Sequence, residues 1–294
     1  MGESVIENVS DTAFWVAHYR AVETGRPDAL FRDPLAGVLA GEQGEKIART
    51  MPMAFMTEWV VAIRTRLIDE YIRTAIGEGV DTAINLGAGL DTRPYRMELP
   101  ETFLWVEADY PKMIEFKQSR LARETPKCKL ERVSIDLADA SARRRLLADV
   151  DVRAKKVLIL TEGVVPYLSM EEVGSLADDL KEMKRIRYWI ADYLSPLVIK
   201  FRQRGGIAKK TTNAPFKFKP ANWFAFFQEH GWKAKEIRYL AEEGERWKRK
   251  ARTPLAMRTM MKLRMILASK KRREAFRKAA GYALLEPASS GGNS

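Results

Sequence analysis

The stretch "NLGAGLDTRPYR", residues 85–96, sets Gly87, Ala88 and Gly89 just ahead of Asp91 and of two arginines, Arg93 and Arg96, spaced around a proline and a tyrosine. Glycines so close together let a backbone turn sharply and come near a ligand. Twenty residues past Gly89, Asp109 closes "WVEADYP", the spacing at which a carboxylate takes up ribose hydroxyls. Glu107 is two residues earlier and points the same way along a strand, so one of the two acids is expected to be structural. Asp136, in "SIDLAD", ends the next such run, where its side chain or backbone can meet an adenine amino group. A dinucleotide fingerprint requires a third glycine where Thr92 stands, which disfavours a pyrophosphate. A nucleoside without a diphosphate fits better, and S-adenosylmethionine is such a molecule. The alternative for the paired glycines alone is a plain tight turn.

The amino-acid end of such a ligand needs a cation and acceptors. Arg64, beside the apolar face of a long helix, suits a carboxylate, and Glu162, ending "VLILTEG", suits an ammonium or a place near the sulfonium methyl. Taken singly, either residue is equally an internal salt bridge. Tyr19, Arg93, Tyr95, Arg96 and Tyr167 lie in or beside the same blocks and are candidates to line an acceptor site. Arg93 and Arg96 have a second reading, pairing with Asp91 to cap the turn, expected of at least one of them. The two histidines, His18 and His230, fall outside every block and read as packing or surface residues. That scarcity of bases favours an acceptor already ionised at neutral pH, such as a carboxylate, although Glu162 or Tyr167 can serve a hydroxyl.

These residues are positioned by a regular order of elements. In "WVVAIRTRLIDEYIRTAI", Val60, Ile63, Leu67 and Tyr71 recur at helical spacing. Short apolar runs follow at "DTAINLG", "TFLWVEAD", "KLERVSID", "KKVLILTEG" and "RYWIADYL", with helical stretches such as "YPKMIEFKQSRLARE" and "MEEVGSLADDLKEM" between most of them. Strands alternating with helices predict an α/β, Rossmann-like, mainly parallel sheet with helices on both faces. "PANWFAFFQEHGWKAKEIRYL" adds a helix, a glycine turn and a strand, and "GYALLEP" a terminal strand. The organisation expected is one domain: a helical cap over 1–80, a sheet core over 81–245, a basic helical insertion over 246–280 broken at Pro254, whose methionines and leucines are expected to pack inward, with a membrane-surface helix as the alternative, and a last strand with a frayed tail over 281–294.

Charge is unevenly spread over the 294 residues. The chain carries +12, yet positions 200–294 alone hold 24 Lys/Arg against seven Asp/Glu, a surplus of +17 that leaves −5 on the rest. Such a region attracts anionic partners or is a solvated helical face. One cysteine, Cys128, rules out a disulfide framework or a thiolate metal cage and suggests a reducing compartment, so the cytoplasm is expected and no metal is. The N-terminal stretch lacks the pattern of a signal peptide, and "MAFMTEWVVAI" carries Glu58, so no bilayer span is expected.

"NLGAGLDTRPYR", "WVEADYP", "SIDLAD" and "LILTEGVVPYLS", in this order and spacing, resemble the leucine carboxyl methyltransferase family of S-adenosylmethionine-dependent O-methyltransferases. Within it, "DTAFWVAHYRAVET", "DPLA", "RTRLIDEYI", "HGW" and "GYALLEP" are similar to the bacterial branch that includes polyketide carboxyl O-methyltransferases, so nearly the whole chain is covered. The resemblance implies a seven-stranded methyltransferase sheet with cofactor contacts at Gly87, Asp109, Asp136 with Leu137, and Glu162. It also implies a helix arginine at Arg64, with Arg20 a loose match to a basic residue near the family's N-terminus. The acceptor it implies is a small metabolite, and the basic last third favours an anionic or lipid-like one. Rival readings are a nucleic-acid methyltransferase, disfavoured by the absence of an N/D-P-P-Y-type motif, a catalytically silent cofactor-binding protein docking on a membrane or partner through its basic third, and, last, a dehydrogenase.

Overall fold

In the computed structural model, which describes residues 9–202 and 210–288, the five residues Thr82–Leu86 are all buried and form β1. Buried parallel strands carry near-continuous apolar runs because both faces are covered. The same holds for β2 (Leu104–Asp109), β4 (Val157–Thr161) and the middle of β5 (Ile186–Leu194), whereas β3 (Lys129–Ser134) is half-exposed at one end of the sheet. These five strands are parallel in the order β3-β2-β1-β4-β5. The sheet reaches seven strands with β6 (Trp232–Tyr239) and β7 (Ala280–Pro287), where β7 lies between β5 and β6 and runs antiparallel to both. The α/β Rossmann-like class expected from the sequence is present, with antiparallel pairing confined to this end.

Parallel register brings the carboxyl ends of β1, β2, β4 and β5 to one edge, where ligands bind in open α/β sheets. Alternate side chains divide the core. Ile84, Val106, Ile159 and Trp189 pack on one face with α6 (Ala140–Arg153), α7 (Met170–Lys181) and α9 (Trp223–Glu229). Ala83, Trp105, Leu158, Tyr188 and Ile190 pack on the other with α3 (Ala54–Gly77). From α3, Ile63, Leu67, Ile68, Tyr71 and Ile72 are essentially inaccessible. Each such side chain contributes about 1.5–3 kcal/mol by leaving water, so the rotation of α3, and with it the direction of Arg64, is set by packing. The Tyr71 hydroxyl also donates to the Tyr282 carbonyl of β7 at 3.2 Å.

The cap is α1 (Asp11–Thr24) and α2 (Ala36–Thr50) laid over this edge. Ala17, Leu39 and Ala40 pack with Leu90 of the glycine stretch and Met113 of α5 (Pro111–Arg120). Short elements complete the edge: α4 (Arg93–Arg96), a 3-10 turn at Val165–Tyr167, and α8 (Pro196–Arg202).

The basic insertion differs from its expected form. After α10 (Leu240–Arg246), residues 247–254 are not helical, and helix resumes as α11 (Leu255–Ile266) and α12 (Lys270–Arg277). Pro254 therefore precedes a helix instead of breaking one, as suits a residue that lacks an N–H. Nor do most of its described leucines and methionines pack inward: Leu255, Met260, Leu263, Ile266 and Leu267 are exposed, and Met257 is half-buried. The non-helical segment is fastened to the cap. Arg249 is buried, donating to Glu23 Oε1 at 2.5 Å and to Asp28 Oδ2 at 3.0 Å, while its carbonyl accepts from Trp59 Nε1 at 2.9 Å. The expected tail beyond Ala288 lies outside the described residues.

Candidate active site

The glycine stretch leaves β1 through a turn that needs its composition. Gly87 and Gly89 have φ of +70° and +47°, and a Cβ on Gly87 would sit 2.5 Å from Val164 Cγ2. The Gly87 and Ala88 N–H groups both donate to the Ala108 carbonyl, at 2.8 and 3.2 Å, which latches the turn to β2. Asp109 completes the latch, accepting from Gly89 N at 2.6 Å and Tyr110 N at 2.7 Å. Burial pushes its carboxyl up, against the pull of those two N–H groups and of Lys117. Glu107 is the structural member of the pair: it is wholly buried, 2.6 Å from Lys117 Nζ and 2.9 Å from Arg132 Nε. Arg20 supports the turn from α1, donating to the Leu90 carbonyl at 2.5 Å and to Asp33 at 2.8 Å.

Beneath the turn runs an ionic network. Arg93 is 2% exposed and donates from Nε to Asp69 at 2.8 Å and from Nη1 to Asp91 at 2.7 Å, with Glu162 Oε2 2.9 Å away. Burial opposes its charge, but Asp91, Glu162 and Asp69 together hold its pKa well above the usual range. Arg96 grips both oxygens of Asp69, at 2.6 and 2.8 Å. Asp91 also accepts from Asn85 Nδ2 at 2.9 Å. Glu162 is thus shared, its second oxygen lying 3.0 Å from Arg64 Nε. That approach is off hydrogen-bond geometry, so Arg64 Nε is a buried donor with no hydrogen-bond partner among the described residues.

Arg64 borders a cavity of about 490 Å³ at the carboxyl edge of the sheet, within the range of small-molecule sites. Of the residues singled out in the sequence, Arg20, Arg64, Gly87, Ala88, Gly89, Asp91, Asp109, Leu137, Glu162 and Tyr167 line it. Tyr19, Arg93, Tyr95, Arg96 and Asp136 do not line it, Arg93 and Arg96 being turned to Asp69 instead. Tyr19 is buried against Trp15, Tyr95 accepts from Arg132 at 2.6 Å, and the exposed Asp136 accepts from Ala138 N at 2.9 Å, closing a local turn that leaves Leu137 and Ala138 facing the cavity. His18 and His230 are not among the lining residues; His230 pairs with Asp178 at 2.7 Å.

Among the lining residues not singled out in the sequence are Asp192, Arg202 and Tyr282. Asp192 is 7% exposed and accepts from the Tyr282 hydroxyl at 2.8 Å and Gly163 N at 3.0 Å. Burial pushes its carboxyl up to about 6 despite those donors and Arg64. An acid at the carboxyl end of "RYWIADYL" was the signal for it. Arg202, in α8, stacks its guanidinium 4.7 Å over the Phe216 ring, and burial, helped by the charge of Arg64, lowers its pKa against the opposing pull of Tyr167. No sequence signal marks Arg202, because a lone arginine in a basic region carries no pattern.

The cofactor read from the sequence fits on observations of the site itself: a glycine turn that a Cβ would fill, a buried guanidinium nitrogen with no hydrogen-bond partner among the described residues and a strand-end carboxylate, all lining one cavity. Comparison with known proteins agrees. A model of the leucine carboxyl methyltransferase family matches residues 13–181. A Mycobacteroides abscessus protein named "Putative S-adenosyl-L-methionine-dependent methyltransferase" is 30% identical over 229 residues, 72% of this chain and 75% of that protein. One of the same name from Saccharopolyspora erythraea is 37% identical over 184 residues, 58% and 62% of the two chains. The crystal structure of a Thermobifida fusca protein, titled a putative methyltransferase, shares the fold at a TM-score of 0.52 and 16% identity, covering 92% of this chain and 94% of that one. The chain belongs to the leucine carboxyl methyltransferase family and is an S-adenosylmethionine-dependent methyltransferase.

Proposed function

We propose that the methyl group is transferred to a carboxylate oxygen of a small anionic or polyketide-like acceptor, a hydroxyl oxygen being the other candidate. The observation that carries this reading is Arg202, a guanidinium on the cavity wall, stacked on Phe216, with no ion-pair partner among the described residues. A desolvated cation gains most from an anion that arrives with the ligand. The rest of the wall is largely apolar, with Trp15, Val16, Val60 and Leu168 in it, as suits a carbon skeleton.

Bound S-adenosylmethionine supplies an electrophilic methyl group on a sulfonium. Arg64 is assigned to its carboxylate, the Gly87–Gly89 backbone to the turn around its amino-acid end, Asp109 to the ribose hydroxyls, and Leu137 with Ala138 to the base. The protein's work is then alignment and exclusion of water, since an in-line displacement on an ionised acceptor needs no proton moved. Glu162 and Tyr167 are poor bases: both oxygens of Glu162 face guanidinium groups, and burial raises the Tyr167 hydroxyl. Asp192 is the base that favours the hydroxyl reading, because it is buried, on the wall and half-ionised near pH 6.

The test is incubation of the protein with methyl-labelled cofactor and matched panels of carboxylic acids and phenols. The expected products are base-labile methyl esters, and Arg202→Gln should raise KM for the acid at least about tenfold, the worth of one charge-assisted contact, with cofactor affinity unchanged. Base-stable ethers, formed at a rate that rises through pH 6 and collapses in Asp192→Asn, would replace this reading with the hydroxyl one.

A further inference from the structure

Among the described side chains of α11 and of Leu267 at its end, the large exposed apolar ones lie on one side. At 100° per residue, Leu255, Leu263, Met260, Ile266 and Leu267 fall within about 140° of arc, and they are 45% to 78% exposed. Arg258 and Lys262 border that arc on one flank and Arg264 on the other. Met257, on the far side, is half-buried. Helix α12 follows with Lys270, Lys271, Arg272 and Arg273 in succession and an exposed Phe276, and none of its residues is buried. Of the nine cations between Leu255 and Lys278, Arg277 pairs with Glu245 and Lys278 with Glu274, while the other seven meet no carboxylate at ion-pair distance among the described residues.

Long aliphatic side chains exposed to water between unpaired cations match the two layers of an anionic bilayer surface, acyl chains below and phosphate above. A nucleic-acid backbone would use the cations but gives aliphatic residues nothing to enter, and single strands are held by aromatic stacking. The surface also adjoins the active site. Residue Ala279, just past α12, accepts from Ser195 N at the start of α8 at 2.8 Å, and the next residues, Ala280 and Gly281, line the cavity. From α8 itself, Leu197 and Phe201 are each 53% exposed, while Val198 and Arg202 line the cavity.

We propose that α11 and α12 seat this enzyme on an anionic lipid surface and thereby present its cavity to amphiphilic carboxylates held there. The nature of the acceptor rests on the carboxylate reading above; the docking does not. The full chain is to be sedimented with vesicles of phosphatidylcholine alone or with 30% phosphatidylglycerol, a fraction within the range of natural anionic membranes. The expected result is pelleting with the anionic vesicles that weakens as salt rises, at least about tenfold weaker pelleting with neutral ones, and loss of pelleting in the double variant Leu263→Asp/Ile266→Asp. That variant should titrate with S-adenosylmethionine as the parent does, because both positions are exposed and neither lines the cavity. A parent chain that stays in the supernatant, or a double variant that still pellets, would overturn the proposal. So would a parent dimer that the double variant converts to monomer, which would give the face to a second copy, or stronger retention by duplex DNA than by anionic vesicles at equal salt. Failure of the carboxylate panel with intact vesicle binding would discard the acceptor class and leave the docking standing.

Discussion

At the scale of single residues the site divides into groups that hold the protein and groups left for ligands, and the two respond differently to mutation. Arg93 is of the first kind. Replacing it by Ala leaves Asp69 with Arg96 alone and Asp91 with Asn85 and a backbone N–H but no facing cation in direct contact, so Arg93→Ala should cost about 3 kcal/mol in denaturant unfolding. Arg64 belongs to the second kind and Asp109 to both; Arg64→Ala and Asp109→Ala should each weaken cofactor binding by about tenfold to a hundredfold in calorimetric titration, and Asp109→Ala alone should also lower the melting temperature by freeing the Gly89 and Tyr110 N–H groups. Unaltered affinity in both would remove the assignment. Asp192 adds a pH dependence. Its folded-state pKa of about 6 lies above that of an unfolded aspartate, so the fold favours the protonated form. The stability it contributes is complete below about pH 4 and is lost as pH rises through 6, a swing of about 3 kcal/mol. Asp192→Asn should therefore stabilise the protein at pH 8 and leave it unchanged near pH 4. The sequence revealed Asp109 and Arg64 because strand ends and helix faces are periodic. It could not show that Arg93 and Arg96 converge on Asp69, which lies 24 and 27 positions earlier on another element.

At the scale of elements, the turn after β1 depends on backbone freedom more than on side chains. Gly87→Ala would force a left-handed backbone on a residue with a Cβ and bring it against Val164. The variant should lose at least 1–2 kcal/mol by that cost alone, and thermal unfolding with and without cofactor would show both the loss and a reduced shift on binding. Elements of this kind were legible: every buried parallel strand is an apolar run bounded by turn residues, and α3 shows its face at helical spacing. The insertion was misread for the same reason. Its leucines and methionines have the spacing of a core-facing helix, and periodicity alone does not say whether that face meets protein or is left open.

Taken whole, the chain is an acidic cap and core with a strongly basic last third. The segment from 255 to 278 combines frequent Lys and Arg with no buried described side chain, so limited trypsin digestion should cut there first. Mass spectrometry of the fragments would locate the nick, and first cuts inside the sheet core would contradict this distribution of local stability. The mainly parallel class follows from alternation along the chain. The pairing of β7 does not, since strand partners are chosen across long separations by which faces remain to be covered.

The position of β7 has a temporal side. Residues 280–287 fill the space between β5 and β6, pairing both. While a nascent chain is still being made, β5 therefore presents an open edge of unpaired N–H and C=O groups, and β6 has no strand to join. Five strands and the glycine turn can assemble earlier, but the sheet closes as a unit when its eight-residue keystone is delivered. During synthesis the protein must survive an unfinished edge beside its own cofactor site.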